Sequence, residues 1–157
     1  MFRIGMGAVL LFLLAACGPL SAAPTRPAAS PAVLGGISVS DAWVRNAAVP
    51  GGAAAAYMHI DNSGPADRLL SISSDVAAII ELHQSSESNG MMQMSPVPAI
   101  PIPQGGQVQL KPGGYHAMLM NLSRPLKVGE QVTLELNFET AGNGSNHKLA
   151  VTADVRE

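Results

Sequence analysis

The chain has 157 residues, enough for one domain with a real core once an N-terminal export segment is set aside. Charged residues are 13% of it, against roughly 25% in a typical soluble protein, and the net charge of −2 leaves no basic patch for nucleic acid and no acidic tail for a charged partner. Twelve prolines and sixteen glycines exclude long helices and predict short strands joined by turns.

In chain order, Arg3 is a minimal positive region and Ile4 to Ala16 is an uninterrupted small and apolar run. That run is shorter than the roughly 20 residues of a membrane-spanning helix and has the proportions of a signal-peptide core. It ends in Leu14-Ala15-Ala16-Cys17, which resembles the lipobox of bacterial lipoproteins. The expectation is a signal peptide over 1–16, cleavage before Cys17, and a lipidated Cys17 that anchors an exported chain to a membrane at the periplasmic face of the cell envelope. The plainer alternative is an ordinary secretory signal with an incidental cysteine. Cys17 is the sole cysteine, so a mature chain acylated there has no disulfide, no thiolate zinc site and no thiol nucleophile.

Residues 17–35 are Ala/Pro/Ser-rich and aperiodic, which predicts a tether. Partly extended at about 3 Å per residue, it would reach roughly 50 Å. The folded domain is expected over 36–157. Strands are predicted at 37–45, 53–61, 68–73, 78–84, 107–110, 116–122, 131–139 and 148–155, with a further short one at 91–94. The clearest is 131–139, where Val132, Leu134, Leu136 and Phe138 alternate with Thr133, Glu135 and Asn137. Eight or nine short strands at this spacing mean an all-β sandwich or barrel. The proline-rich run from Pro96 to Pro103 reads as a loop.

The stretch Lys111-Pro112-Gly113-Gly114-Tyr115-His116-Ala117-Met118 reads as a tight turn feeding a strand, with His116 and Met118 on one face. In 78–84, Ile80 and Leu82 face the core, leaving Glu81 and His83 on the other side. With Met94, these residues give the spacing H-x10-M-x21-H-x-M over His83, Met94, His116 and Met118. Most methionines are plastic core filler and most histidines are surface or hydrogen-bonded residues. Those readings are taken for Met58 and Met120, and for His59 and His147. Met94 fits core filler poorly, because it sits between a polar turn and the proline run. Met91 and Met92 are read as core residues or as shields of a metal.

Two imidazoles and two thioethers select Cu(I), since thioether sulfur is soft and neutral. Zinc favours thiolate, imidazole or carboxylate, and a blue-copper electron carrier needs a cysteine that this domain does not offer. No nucleophile–base pair or paired carboxylates stand out, so the chain is not read as an enzyme.

The motif, together with Asp41-Ala42-Trp43-Val44-Arg45, Ala56-Tyr57-Met58, Asp67-Arg68-Leu69-Leu70, Glu81-Leu82-His83, Met91-Met92-Gln93-Met94 and Pro112 to Met120, resembles the periplasmic copper chaperones of the PCuAC type. The likeness runs from about Asp41 to Val155. It implies a cupredoxin-like β-barrel and a Cu(I) site at His83, Met94, His116 and Met118. It also implies delivery of copper to the Cu(A) centre of cytochrome c oxidase subunit II, directly or with a Sco-type protein. The competing expectation is a copper storage or detoxification lipoprotein that uses the same site.

Overall fold

The computed structural model describes residues 31–88 and 90–157. The expected signal segment, Cys17 and the tether as far as residue 30 lie outside the described residues. Eleven strands form: β1 (Ala32–Leu34), β2 (Ile37–Arg45), β3 (Ala54–Asn62), β4 (Asp67–Ser73), β5 (Ala77–Ser88), β6 (Met91–Pro96), β7 (Ile100–Ile102), β8 (Gln107–Leu110), β9 (Tyr115–Leu122), β10 (Gln131–Thr140) and β11 (Asn146–Arg156). Among the described residues there is no helix, and the domain is all-β as the alternating pattern requires.

The strands follow one hydrogen-bonded path, β6-β5-β9-β8-β3-β2-β11-β10-β4-β7, with β1 added alongside β2 and β9 also pairing with β3. The path curls back on itself. Leu70 and Ser71 of β4 line a cleft together with Ile80, Glu81 and Leu82 of β5, so the two arms of the sheet meet without a ladder between them. The enclosed face carries the core. Phe138, Leu134, Leu136, Leu69, Ile60, Ile100 and Leu119 are all fully buried there. On β10 the inward set is Val132, Leu134, Leu136 and Phe138, each opposed on β11 by an alternate residue.

Two strands were not predicted. β1 lies inside the 17–35 stretch expected to be tether, where Ala32, Val33 and Leu34 pair antiparallel with Val39, Ser38 and Ile37. β7 lies inside the expected proline loop. It tolerates Pro101 because it ends the sheet path and pairs only with β4, so one of its backbone edges needs no donor.

One irregularity matters for the site. The β2–β3 register shifts between Ser40 and Trp43, and Asp41 at that point has φ +48°. Such a bulge adds one residue to one strand and switches the alternation beyond it. Val39 is buried before it, Ala42 and Val44 after it. Trp43 is thereby turned out of the core onto the outer face, where its ring lies 4.5 Å from that of Tyr57. Arg156 closes the arrangement, 2.9 Å from Asp41 Oδ1 and 6.0 Å above the Trp43 ring.

Candidate metal centre

The turn before β9 is built from the sequence upward. Pro112 presets its own φ and Gly113 takes φ +79°, the combination of a type II turn. Gly114 N–H donates to Lys111 O at 3.0 Å, and Lys111 N–H donates to Tyr115 O at 2.8 Å. The Gly114 carbonyl then accepts from the Ser85 amide of β5 at 3.0 Å and lies 3.1 Å from His116 Nδ1. One peptide group thus ties β5 to β9 and orients His116.

In the antiparallel β5–β9 ladder His83 stands directly opposite His116, and Glu81 directly opposite Met118. On the other side of β5, Ser85 faces Met94 of β6. Residues directly opposed, or two apart along a strand, share a face. His83, Met94, His116 and Met118 therefore stand together on the outer face of three adjacent strands. The inner face at the same level is held by Leu82, Ala117 and Leu119, none more than 5% exposed. Burial of those side chains fixes the register, because a one-residue slip would send the histidines inward.

The His83 and His116 rings have centroids 5.7 Å apart. Two imidazoles that share a metal at about 2.0–2.1 Å from each nitrogen place their centroids roughly 5–6 Å apart, so the pair is spaced to hold one ion. His116 is 4% exposed and its ring sits 6.4 Å from Tyr57. The His83 side chain is 17% exposed. Its Nε2 is 3.0 Å from Glu81 Oε2, whereas its Nδ1 is buried with no hydrogen-bond partner. Met118 is half-buried and Met94 is 62% exposed, on a hairpin arm whose β6 residues are all exposed. The face thus runs from a buried inner end to an open outer one. Among the described residues no group of three or more His, Cys, Asp or Glu is disposed to hold a metal. A metal held on this face would draw on the thioethers, which favour soft ions.

The remaining residues fall as follows. Met58 is core, as expected. Met120 is not: it follows Met118 on the outer face of β9, opposite Ile79, because Ala117 and Leu119 already occupy the inner face. Met91 and Met92 are not core either, being 63% and 60% exposed. Met92 shares a face with Met94 and Met91 takes the opposite one. His59 is hydrogen-bonded to Gln109 at 2.6 Å, and His147 stacks on Phe138 with its Nε2 3.4 Å from Asp67 Oδ2. Sequence reasoning put Glu81 on the His83 face but gave it no part in the site. The Tyr57 ring beside His116 and the Trp43 ring packed on Tyr57 were also missed, and only the Asp41 bulge brings Trp43 to Tyr57.

Fold and site together define the class: an all-β domain with a paired His/Met face on the outside of its sheet. Among solved structures it is similar to the "Copper-bound PCuAC domain from PmoF2", with a TM-score of 0.65 and 23% identity over 81% of this chain and 97% of that one. It is similar also to the "Apo PCuAC domain from PmoF1", with a TM-score of 0.64 and 20% identity over 81% and 98% of the two chains. The fold is therefore that of PCuAC domains. A Cu(I) form of the Deinococcus radiodurans protein DR1885 has a TM-score of 0.53 and 35% identity over 75% of this chain and 78% of its own. Residues 37–152 match the LpqE-like family, described as "Putative lipoprotein LpqE-like". The "Putative lipoprotein Lxx21020" of Leifsonia xyli subsp. xyli is 34% identical over 118 residues, covering 74% of this chain and 68% of that protein. The chain belongs to the LpqE-like family.

Proposed function

We propose that this protein is a lipid-anchored, extracytoplasmic Cu(I) chaperone that holds the ion with His83, Met94, His116 and Met118. The observation that carries the reading is the register of β5 and β9, which sets His83 against His116 with Met118 and Met94 flanking them on the same face. The Cu(I) form of the Deinococcus radiodurans relative supports the choice of metal. The family description supports an exported lipoprotein, and the residue proposed to be modified is Cys17 of the Leu14-Ala15-Ala16-Cys17 run.

All four ligands are neutral when they bind, so the site holds a monovalent ion without thiolate. Release follows from the exposure gradient. Met94 stands open to solvent on its arm, while His116 is enclosed. An incoming acceptor thiolate displaces Met94 first, and the imidazoles last. The proposed acceptor is the Cu(A) site of cytochrome c oxidase subunit II, reached directly or through a Sco-type protein. The chain itself makes and breaks no covalent bond of a substrate and is read as a carrier, not an enzyme.

The test is to load the protein with one Cu(I) and mix it with purified apo Cu(A) domain, with and without a Sco-type protein, following the Cu(A) absorption. Transfer on mixing supports the chaperone. Retention of copper against excess acceptor indicates storage, and failure to take up Cu(I) refutes the site.

A further inference from the structure

The two histidines of the site do not present themselves in the same way. His116 has its Nδ1 3.1 Å from the Gly114 carbonyl, an acceptor only, so Nδ1 carries the proton and Nε2 is the donor left for a metal. His83 is bound at the other end of its ring. Its Nε2 is 3.0 Å from Glu81 Oε2, and its Nδ1 is buried with no partner. Leaving a buried acceptor without a partner is destabilising, and a bound ion at that atom would remove the penalty.

We propose that Glu81 is the positioning residue of the copper site: by accepting the His83 Nε2–H it fixes the tautomer whose Nδ1 is the metal donor, so that copper is held through Nδ1 of His83 and Nε2 of His116. The inference rests on the proposed copper site and adds to it a fifth residue and a choice of atoms. Glu81 is placed for this by the strand itself. It lies two residues before His83 on the same face, and its register partner on β9 is the ligand Met118. Its side chain is 48% exposed and engages the ring through one carboxylate oxygen. A carboxylate behind a metal-bound imidazole orients the ring and raises its basicity, and loss of such a partner typically costs 10–100-fold in metal affinity. It has an electrostatic effect as well: one Cu(I) with two neutral imidazoles and two thioethers is a cation of charge +1, and Glu81 brings the assembly to zero beside a buried histidine.

Histidine coordination can be read atom by atom. The full chain carrying Cys17→Ser, so that no thiol competes, is labelled with 15N and loaded with one equivalent of Ag(I), a diamagnetic stand-in for Cu(I). Long-range 1H–15N correlation and 109Ag–15N coupling then identify the bound nitrogen of each ring. The expected result is silver on Nδ1 of His83 and Nε2 of His116. Glu81→Ala should weaken Ag(I) binding at least tenfold and shift His83 towards Nε2 or mixed coordination. Glu81→Gln, whose amide oxygen can still accept the Nε2–H, should restore Nδ1 coordination and most of the affinity. Silver on Nε2 of His83 in the parent chain would overturn the proposal while leaving the copper site standing, as would Glu81→Ala with unchanged coupling pattern and affinity. Absence of silver from both rings would remove the copper site itself.

Discussion

Met94→Leu separates the fold from the site more sharply than any other single change. The substitution keeps the volume of the side chain nearly constant and removes the sulfur. Met94 is 62% exposed, and burying a whole methionine side chain is worth about 1.5–3 kcal/mol. The buried part is therefore worth about 1 kcal/mol at most, and leucine keeps most of it, so apo stability should move by less than about 0.5 kcal/mol. Metal binding should respond quite differently. Loss of even an outer partner of a ligand costs 10–100-fold, so loss of a direct ligand should cost at least tenfold. With free Cu(I) buffered at 100 times the dissociation constant, the parent is stabilised by about 2.7 kcal/mol, and a tenfold weaker variant by about 1.4 kcal/mol. The copper-induced rise in melting temperature should shrink by roughly 5 °C for a domain of this size. The assay is a pair of melts, apo and Cu(I)-buffered, for both proteins under reductant. An unchanged copper-induced rise in Met94→Leu, or an apo melting point lowered as far as in a core deletion, would refute the reasoning.

Leu119→Ala supplies that core deletion: Leu119 is fully buried behind the site, and truncation should cost about 2–5 kcal/mol in a denaturant titration. Acid should weaken copper binding, because protons compete for both imidazoles but not for the thioethers; a chelator competition should approach two protons per copper at the acid limit, and a flat profile would remove His83 and His116 from the site. Glu130 accepts from the Lys127 amide, and this bond with help from Arg124 holds its carboxyl below the ordinary range. Its contribution is present above the unfolded-state value and lost as pH falls through the lower folded-state one, so Glu130→Gln should remove that part of the acid-unfolding profile. Asp41→Ile should destabilise the bulge by about 1–2 kcal/mol, since a β-branched side chain resists φ +48°, and should also disturb the fluorescence of Trp43, the sole tryptophan.

Much of the fold was legible because period-two alternation is a local property. The strand at 131–139 was readable from its own residues, as was the placement of His83 opposite in sense to Leu82. The Lys111–Gly114 turn was readable too, because Pro112 fixes its own φ and Gly113 readily takes the positive φ that a type II turn needs. Strands with weak local signals were not: β1 is three residues held by pairing with β2, and β7 includes a proline that only an unpaired sheet edge allows. Met120 looked like core for the same reason. A methionine carries no face of its own, and only the burial of Ala117 and Leu119 turned it outward.

By itself the sequence determined the all-β class and the chemistry of the proposed ligands. Two imidazoles and two thioethers at fixed spacing, with the sole cysteine in the expected anchor segment, already pointed away from a thiolate metal site and towards a soft monovalent ion. Only the tertiary structure decided that these four residues meet. His83 and His116 are separated by a long stretch of chain, and nothing local sets one against the other. The antiparallel register of β5 and β9 does, fixed by Leu82, Ala117 and Leu119 on the buried face. The same register brought Glu81 to the site opposite Met118, and its hydrogen bond to His83 Nε2 distinguished the two ring nitrogens. Which atom of a histidine is free depends on the partner its other nitrogen meets in space, and that partner is set by strand pairing and side-chain geometry together.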